Sequence, residues 1–192
     1  MKRTRGDTLT GGTGDVNPQQ LIFPGMTLVG ANTYSQQIIN LPVSQLPVKN
    51  GKAIVMEILK IYWDLPTFGS NMPAGDTNWI CQAQLSTASS NGINTSAPQI
   101  FAYVKRKSKG QEGAAASSYY TTWTEPEIQD YTDGAGHGML VATNSIFMGA
   151  NTSNFTASVS FGCRILYRWK EVGLTEYLGM VQQQQQNAGP AT

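Results

Sequence analysis

A chain of 192 residues with 40 % apolar content can bury the core of one domain with short arms. Only 13 % of the residues are charged, about half the usual share, so Ser, Thr, Asn, Gln and Gly must build the surface. The formal net charge of +1 excludes a generally basic nucleic-acid-binding body, one histidine with two distant cysteines excludes a Cys/His zinc cluster, and no apolar run is long enough to span a membrane.

Residues 1–20 read as a flexible arm. Gly11, Gly12, Gly14 and Pro18 break any regular pattern, and Lys2, Arg3 and Arg5 make it locally basic. No apolar stretch follows that basic start, so it does not read as a secretory signal. Two short extended pieces come next, LIFPGMTLV and TYSQQIINL, and Pro24 reduces the first to an edge strand or an irregular stretch. The β-branched and aromatic residues of KAIVMEILKIYWDL, residues 52–65, predict a strand buried on both faces at its start. TNWICQAQLST alternates, with Trp79, Cys81, Ala83 and Leu85 on one face and Gln82 and Gln84 on the other. APQIFAYVKRK is a further strand, whose end carries Lys105, Arg106, Lys107 and Lys109 into a loop, and SSYYTTWTE is a weaker one. TEPEIQD reads as a solvated acidic loop, and GMLVATNSIFMG as one or two strands.

The clearest element is ASVSFGCRILYRWK, residues 157–170. Ala157, Val159, Phe161, Cys163, Ile165, Tyr167 and Trp169 share one face, and Arg164, Arg168 and Lys170 lie on the other. A period of two held over this length is a half-buried strand, because successive side chains point to opposite sides. LTEYLGMV reads as one helical turn, and residues 182–192 as a mobile, Gln-rich, low-complexity tail. Seven to nine short strands, almost no helix and Gly/Ser/Asn-rich loops make an all-β chain: a single jelly-roll β-sandwich over residues 21–181 between an arm and a tail.

No motif carries catalysis. His137 stands in DGAGHG, four residues after Asp133, and no GxSxG elbow accompanies it. A catalytic triad needs a base held rigidly between two partners, whereas Gly134, Gly136 and Gly138 predict a turn built on positive φ angles. Glu125, Glu127, Asp130 and Asp133 could offer oxygen ligands to calcium, but a solvated loop is the plainer reading. GGTG at 11–14 precedes no strand-to-helix switch, so it is not a phosphate loop. No enzyme activity, cofactor or metal is expected.

Four stretches taken together, RGDTLTGGTGDVNPQ, KAIVMEILKIYWDLP, DGAGHGMLVATNSIFM and CRILYRWKEVGLTEYLGMVQQQQQ, resemble capsid proteins of circular, Rep-encoding single-stranded DNA viruses of the circo-like, environmental and faecal group. They run in the same order and span nearly the whole chain. The resemblance implies a jelly-roll subunit that assembles with itself into a small icosahedral shell around circular single-stranded DNA. It further implies residence in the virion after assembly inside a host cell, with the nucleus as a candidate compartment, and no membrane insertion. One departure stands out. Better-known circovirus coats carry a long arginine-rich arm, and this chain has only Lys2, Arg3 and Arg5 there. DNA contacts should therefore be few and made to phosphates without base specificity, by the arm first, then by Arg164, Arg168 and Lys170, and last by the 105–109 cluster. The competing reading, from a different class, is a lectin-like, carbohydrate-binding β-sandwich with exposed Trp and Tyr.

Overall fold

The computed structural model describes residues 19–28, 33–41, 51–66, 78–112, 118–124, 128–155 and 157–186. Among these the chain forms ten strands and one helix. The strands are β1 (Gln19–Leu28), β2 (Tyr34–Asn40), β3 (Lys52–Asp64), β4 (Asn78–Ser86), β5 (Ile100–Glu112), β6 (Ser118–Thr124), β7 (Ile128–Asp130), β8 (Met139–Val141), β9 (Ser145–Ser153) and β10 (Val159–Gly173), and the helix is α1 (Leu174–Gln186).

Two antiparallel sheets make a sandwich. The first has the order β1-β10-β3-β7, with β8 also paired to β3, and the second has the order β2-β9-β4-β5-β6. The pairings nest: β1 with β10, β2 with β9, β3 with β8 and β7, and β4 with β5. A long hairpin rolled up on itself produces this nesting, which is the arrangement of a jelly roll. The all-β sandwich expected from the sequence is therefore the fold observed.

The core lies where the facing sides of β3 and β10 meet those of β4 and β9. Ile58, Ile61, Phe161 and Ile165 from the first sheet, and Trp79, Leu85, Ile146 and Met148 from the second, are fully buried there. The alternation in β10 holds as read, with Val159, Phe161, Cys163, Ile165 and Tyr167 all buried. In β3 the inward parity changes between Ile58 and Ile61, because the pairing with β10 shifts register between Leu166 and Tyr167. Cys81 and Cys163 are buried and unpaired, and burial pushes the Cys81 thiol up to about 12 and raises that of Cys163 as well. Neither thiol is a nucleophile at neutral pH.

Three readings need correction. Lys105, Arg106, Lys107 and Lys109 lie within β5, in register with β4 and, except Lys105, with β6, rather than in a loop. Gln84 keeps the face read for it and is fully buried there, because residues 87–99 fold back over the polar face of β4: its amide donates to the Gly92 carbonyl at 3.0 Å and accepts from the Asn94 N–H at 3.1 Å. Part of the acidic loop, Ile128–Asp130, is the short strand β7, where Asp130 pairs with Lys60 at 2.7 Å. The helix continues through the whole glutamine run to Gln186 instead of ending after one turn. Glutamine is a good helix former, and Tyr177, Met180 and Val181 pack at helical spacing on Ala53, Val55, Ala142 and Val172. Gln184 extends that stripe, donating to the Leu140 carbonyl at 3.1 Å and accepting from the Ala142 N–H at 3.0 Å. Gln19 and Gln20 belong to β1, whereas residues 1–18, with Lys2, Arg3 and Arg5, and residues 187–192 lie outside the described residues.

Candidate functional site

Of the residues singled out by the sequence, Arg164, Arg168, Lys170 and the turn that carries His137 meet on one surface, the face of the first sheet that points away from the core. Half of that face is closed and half is open.

The closed half is organised around Glu57, a carboxylate with no solvent exposure on β3. Arg168 and Lys170, on the paired strand β10, both reach it: the Arg168 guanidinium bonds Oε2, and Lys170 Nζ lies 3.3 Å from Oε1. The Gly138 N–H donates to Oε1 at 3.0 Å. Burial alone would raise the Glu57 carboxyl, but these donors outweigh it and hold it below its ordinary value. With three donors on its two oxygens, Glu57 is a clasp that joins β3, β10 and the segment between β7 and β8.

That segment contains His137. β7 and β8 pair in succession with the same edge of β3, β7 opposite Lys60–Tyr62 and β8 opposite Met56–Ile58. Residues 131–138 are the excursion between them, pinned by the Tyr131 N–H to the Leu59 carbonyl at 2.9 Å and by the Asp133 N–H to the His137 carbonyl at 3.1 Å. The Asp133 carboxylate accepts the N–H groups of Ala135 and His137, each at 2.9 Å, and meets His137 Nδ1 at 2.9 Å. These bonds, led by the His137 N–H and ring, hold the Asp133 carboxyl down at about 2.

The glycines serve two different needs. Gly134 and Gly136 take positive φ, +78° and +86°, as the turn reading requires. Gly138 is set by close approach instead: a Cβ there would fall 2.1 Å from the Ile58 carbonyl oxygen. Arg168 closes the turn from outside by donating to the Gly136 carbonyl at 2.6 Å. The His137 ring is 59 % exposed, and among the described residues no hydroxyl or thiol is hydrogen-bonded to it. Among the described residues this Asp–His pair on a surface turn meets no nucleophile, the third member that acyl-transfer chemistry requires.

The open half lies further along β10. Register aligns Ile22, Arg164 and Tyr62 in one row across β1, β10 and β3. The Arg164 guanidinium sits 5.4 Å from the centre of the Tyr62 ring. Of the three β10 cations proposed for nucleic acid, Arg168 and Lys170 are thus committed to Glu57, and Arg164 stands on an aromatic ring at an exposed position. In β5, Arg106 donates to the Pro66 carbonyl at 3.1 Å, which ties it to the end of β3. Sequence reasoning missed Glu57 and Tyr62. A signal existed for the first: one carboxylate inside the apolar run Val55–Leu59 of a strand read as buried on both faces.

No family model matches the chain, and no curated protein is significantly similar to it. In structure the chain is similar to polyomavirus VP1 capsid proteins. The unassembled Washington University polyomavirus VP1 pentamer is 9 % identical over 81 % of this chain and 94 % of its own, at a TM-score of 0.45. Merkel cell polyomavirus VP1, solved with 3′-sialyllactosamine, is 10 % identical over 84 % of this chain and 98 % of its own, at 0.44. The VP1 of trichodysplasia spinulosa-associated polyomavirus, solved with 3′-sialyllactose, is 11 % identical over 84 % and 97 %, at 0.43. Identities of 9–11 % and TM-scores below 0.5 do not place the chain in a family with these proteins.

Proposed function

We propose that the chain is a viral coat subunit that assembles with copies of itself into a closed shell around circular single-stranded DNA. One observation carries this reading beyond the jelly-roll topology. The edge strands on one side of the sandwich, β1 of the first sheet and β2 of the second, contain no charged residue. Each exposes a large apolar side chain, Ile22 at 64 % and Ile38 at 54 %. Soluble proteins guard such edges with charge, because an unpaired edge is a template for association. An uncharged, apolar edge on a charge-poor surface fits a subunit whose edges are covered in an assembly. The order-preserving resemblance to circo-like coats adds the genome type and, with it, residence in the virion after assembly in the host cell.

DNA contact in this reading falls to the arm cations Lys2, Arg3 and Arg5 and to Arg164. Arg168 and Lys170, held on Glu57, rank below them. The arm's contacts in this reading are to phosphates, which fix position without reading sequence. Removing residues 1–8 is expected to leave shells intact and to lower their nucleic-acid content, read as a reduced 260/280 nm absorbance ratio of purified particles. Equal nucleic-acid content in truncated and parent shells would exonerate the arm. A chain that forms no shells in either form would contradict the reading itself.

A further inference from the structure

The open half of the first sheet's outer face carries a depression of about 380 Å³, lined by Ile22, Tyr62, Asp64, Ser160, Gly162 and Arg164 among others. We propose that this depression is a binding site for one nucleotide unit of single-stranded DNA, with Arg164 taking the phosphate and Asp64 an amino group of the base. The proposal rests on the coat-subunit reading and deepens it.

Its size lies at the lower end of the range for small-ligand sites, about 300–1,000 Å³. Its chemistry is split along the strands. At one end, the Arg164 guanidinium lies over the Tyr62 ring, 5.4 Å from its centre, and its fork of N–H donors matches the geometry of a phosphate. Among the described residues no carboxylate is ion-paired with Arg164, in contrast to Arg168 and Lys170, which share Glu57. At the other end, Asp64 is exposed and pairs in register with Gly162, two residues before Arg164. Gly162 has no side chain to fill the floor between them. A carboxylate there accepts from the exocyclic amino group of cytosine, a donor that thymine lacks.

The test measures fluorescence anisotropy of short labelled oligo-dC and oligo-dT with the full chain over a range of salt, and sedimentation of the same samples. The parent is expected to bind oligo-dC more tightly than oligo-dT. Arg164→Gln should weaken both about tenfold, equivalent to about 1.4 kcal/mol, and should reduce the slope of log affinity against log salt by about 0.7. Arg164→Lys should keep the slope, Asp64→Ala should erase the preference for oligo-dC, and Lys52→Gln, on an exposed pair with Glu171, should change neither. Unchanged affinity and slope in Arg164→Gln would overturn the site. So would variants that alter only particle assembly, which would make this face a subunit contact. Parent protein that sediments only as a monomer would defeat the coat reading, whatever its affinity for DNA.

Discussion

Phe161→Asp is expected to yield no soluble folded protein, whereas Ser160→Asp, one residue earlier on the same strand, should fold like the parent. The side chain of Phe161 is wholly buried between the two sheets, and Ser160 is exposed on the opposite side of β10. A carboxylate at 161 would have no hydrogen-bonding partner within an apolar cluster that includes Ile61, Trp79 and Ile165. Leaving a polar or charged group unpaired in such surroundings costs several kcal/mol even after the group takes up a proton. The loss of the phenyl ring adds a cavity worth about 3–5 kcal/mol. Against a typical stability of about 5–15 kcal/mol, the two together remove most of the fold. Soluble yield and the unfolding transition of the two variants check the prediction, and normal folding of Phe161→Asp would contradict the inward face assigned to β10.

Arg168→Ala should be the most damaging change on the outer face, at about 3 kcal/mol. It removes the guanidinium from a fully buried carboxylate and frees the Gly136 carbonyl at the same time. The loss falls at the lower end of the range for broken buried pairs, because Lys170 and the Gly138 N–H still face Glu57. Lys170→Ala should cost less, since its contact is longer and the side chain is 35 % exposed. Lys52→Ala, whose partner Glu171 is met at the surface, should cost under about 1 kcal/mol. Urea unfolding followed by tryptophan fluorescence ranks the three. The same clasp sets a pH dependence. The Glu57 carboxyl is held below its ordinary value of 4.5, so its contribution is complete above that pH and is lost as pH falls through the lowered value. Glu57→Gln should flatten the acid limb of the stability profile. A profile identical to the parent's would show that Glu57 is not the group responsible.

The parts of this architecture legible in the sequence are those set by local periodicity. The alternation from Val159 to Tyr167 reports a strand with one face in the core, because the period of two is a backbone property. The turn at Asp133–Gly138 is legible because glycines mark positive φ, and Gly134 and Gly136 adopt it. The third glycine is not legible in that way. Gly138 is required by the Ile58 carbonyl, far away in the chain, and only the pairing of β8 with β3 brings the two together. Gln84 carried the same lesson: alternation assigned its face, but the loop that covers that face is a tertiary event. The candidate site was half legible. Arg164, Arg168 and Lys170 share a face by parity, yet the difference between them depends on Glu57, which is 111 residues from Arg168 and 113 from Lys170. The length of α1 escaped because a glutamine run reads as low complexity, while its helical state is held by Gln184 on the backbone of Leu140 and Ala142.

The central claim is self-assembly, and electron microscopy of the purified full-length protein in negative stain, paired with sedimentation velocity, tests it most directly. Closed shells bury repeated copies of the same patches, here the uncharged edges of β1 and β2 with Ile22 and Ile38. The account predicts a homogeneous population of small, roughly spherical particles. A single slow species with the mass of one chain, 20.8 kDa, at high protein concentration would contradict it.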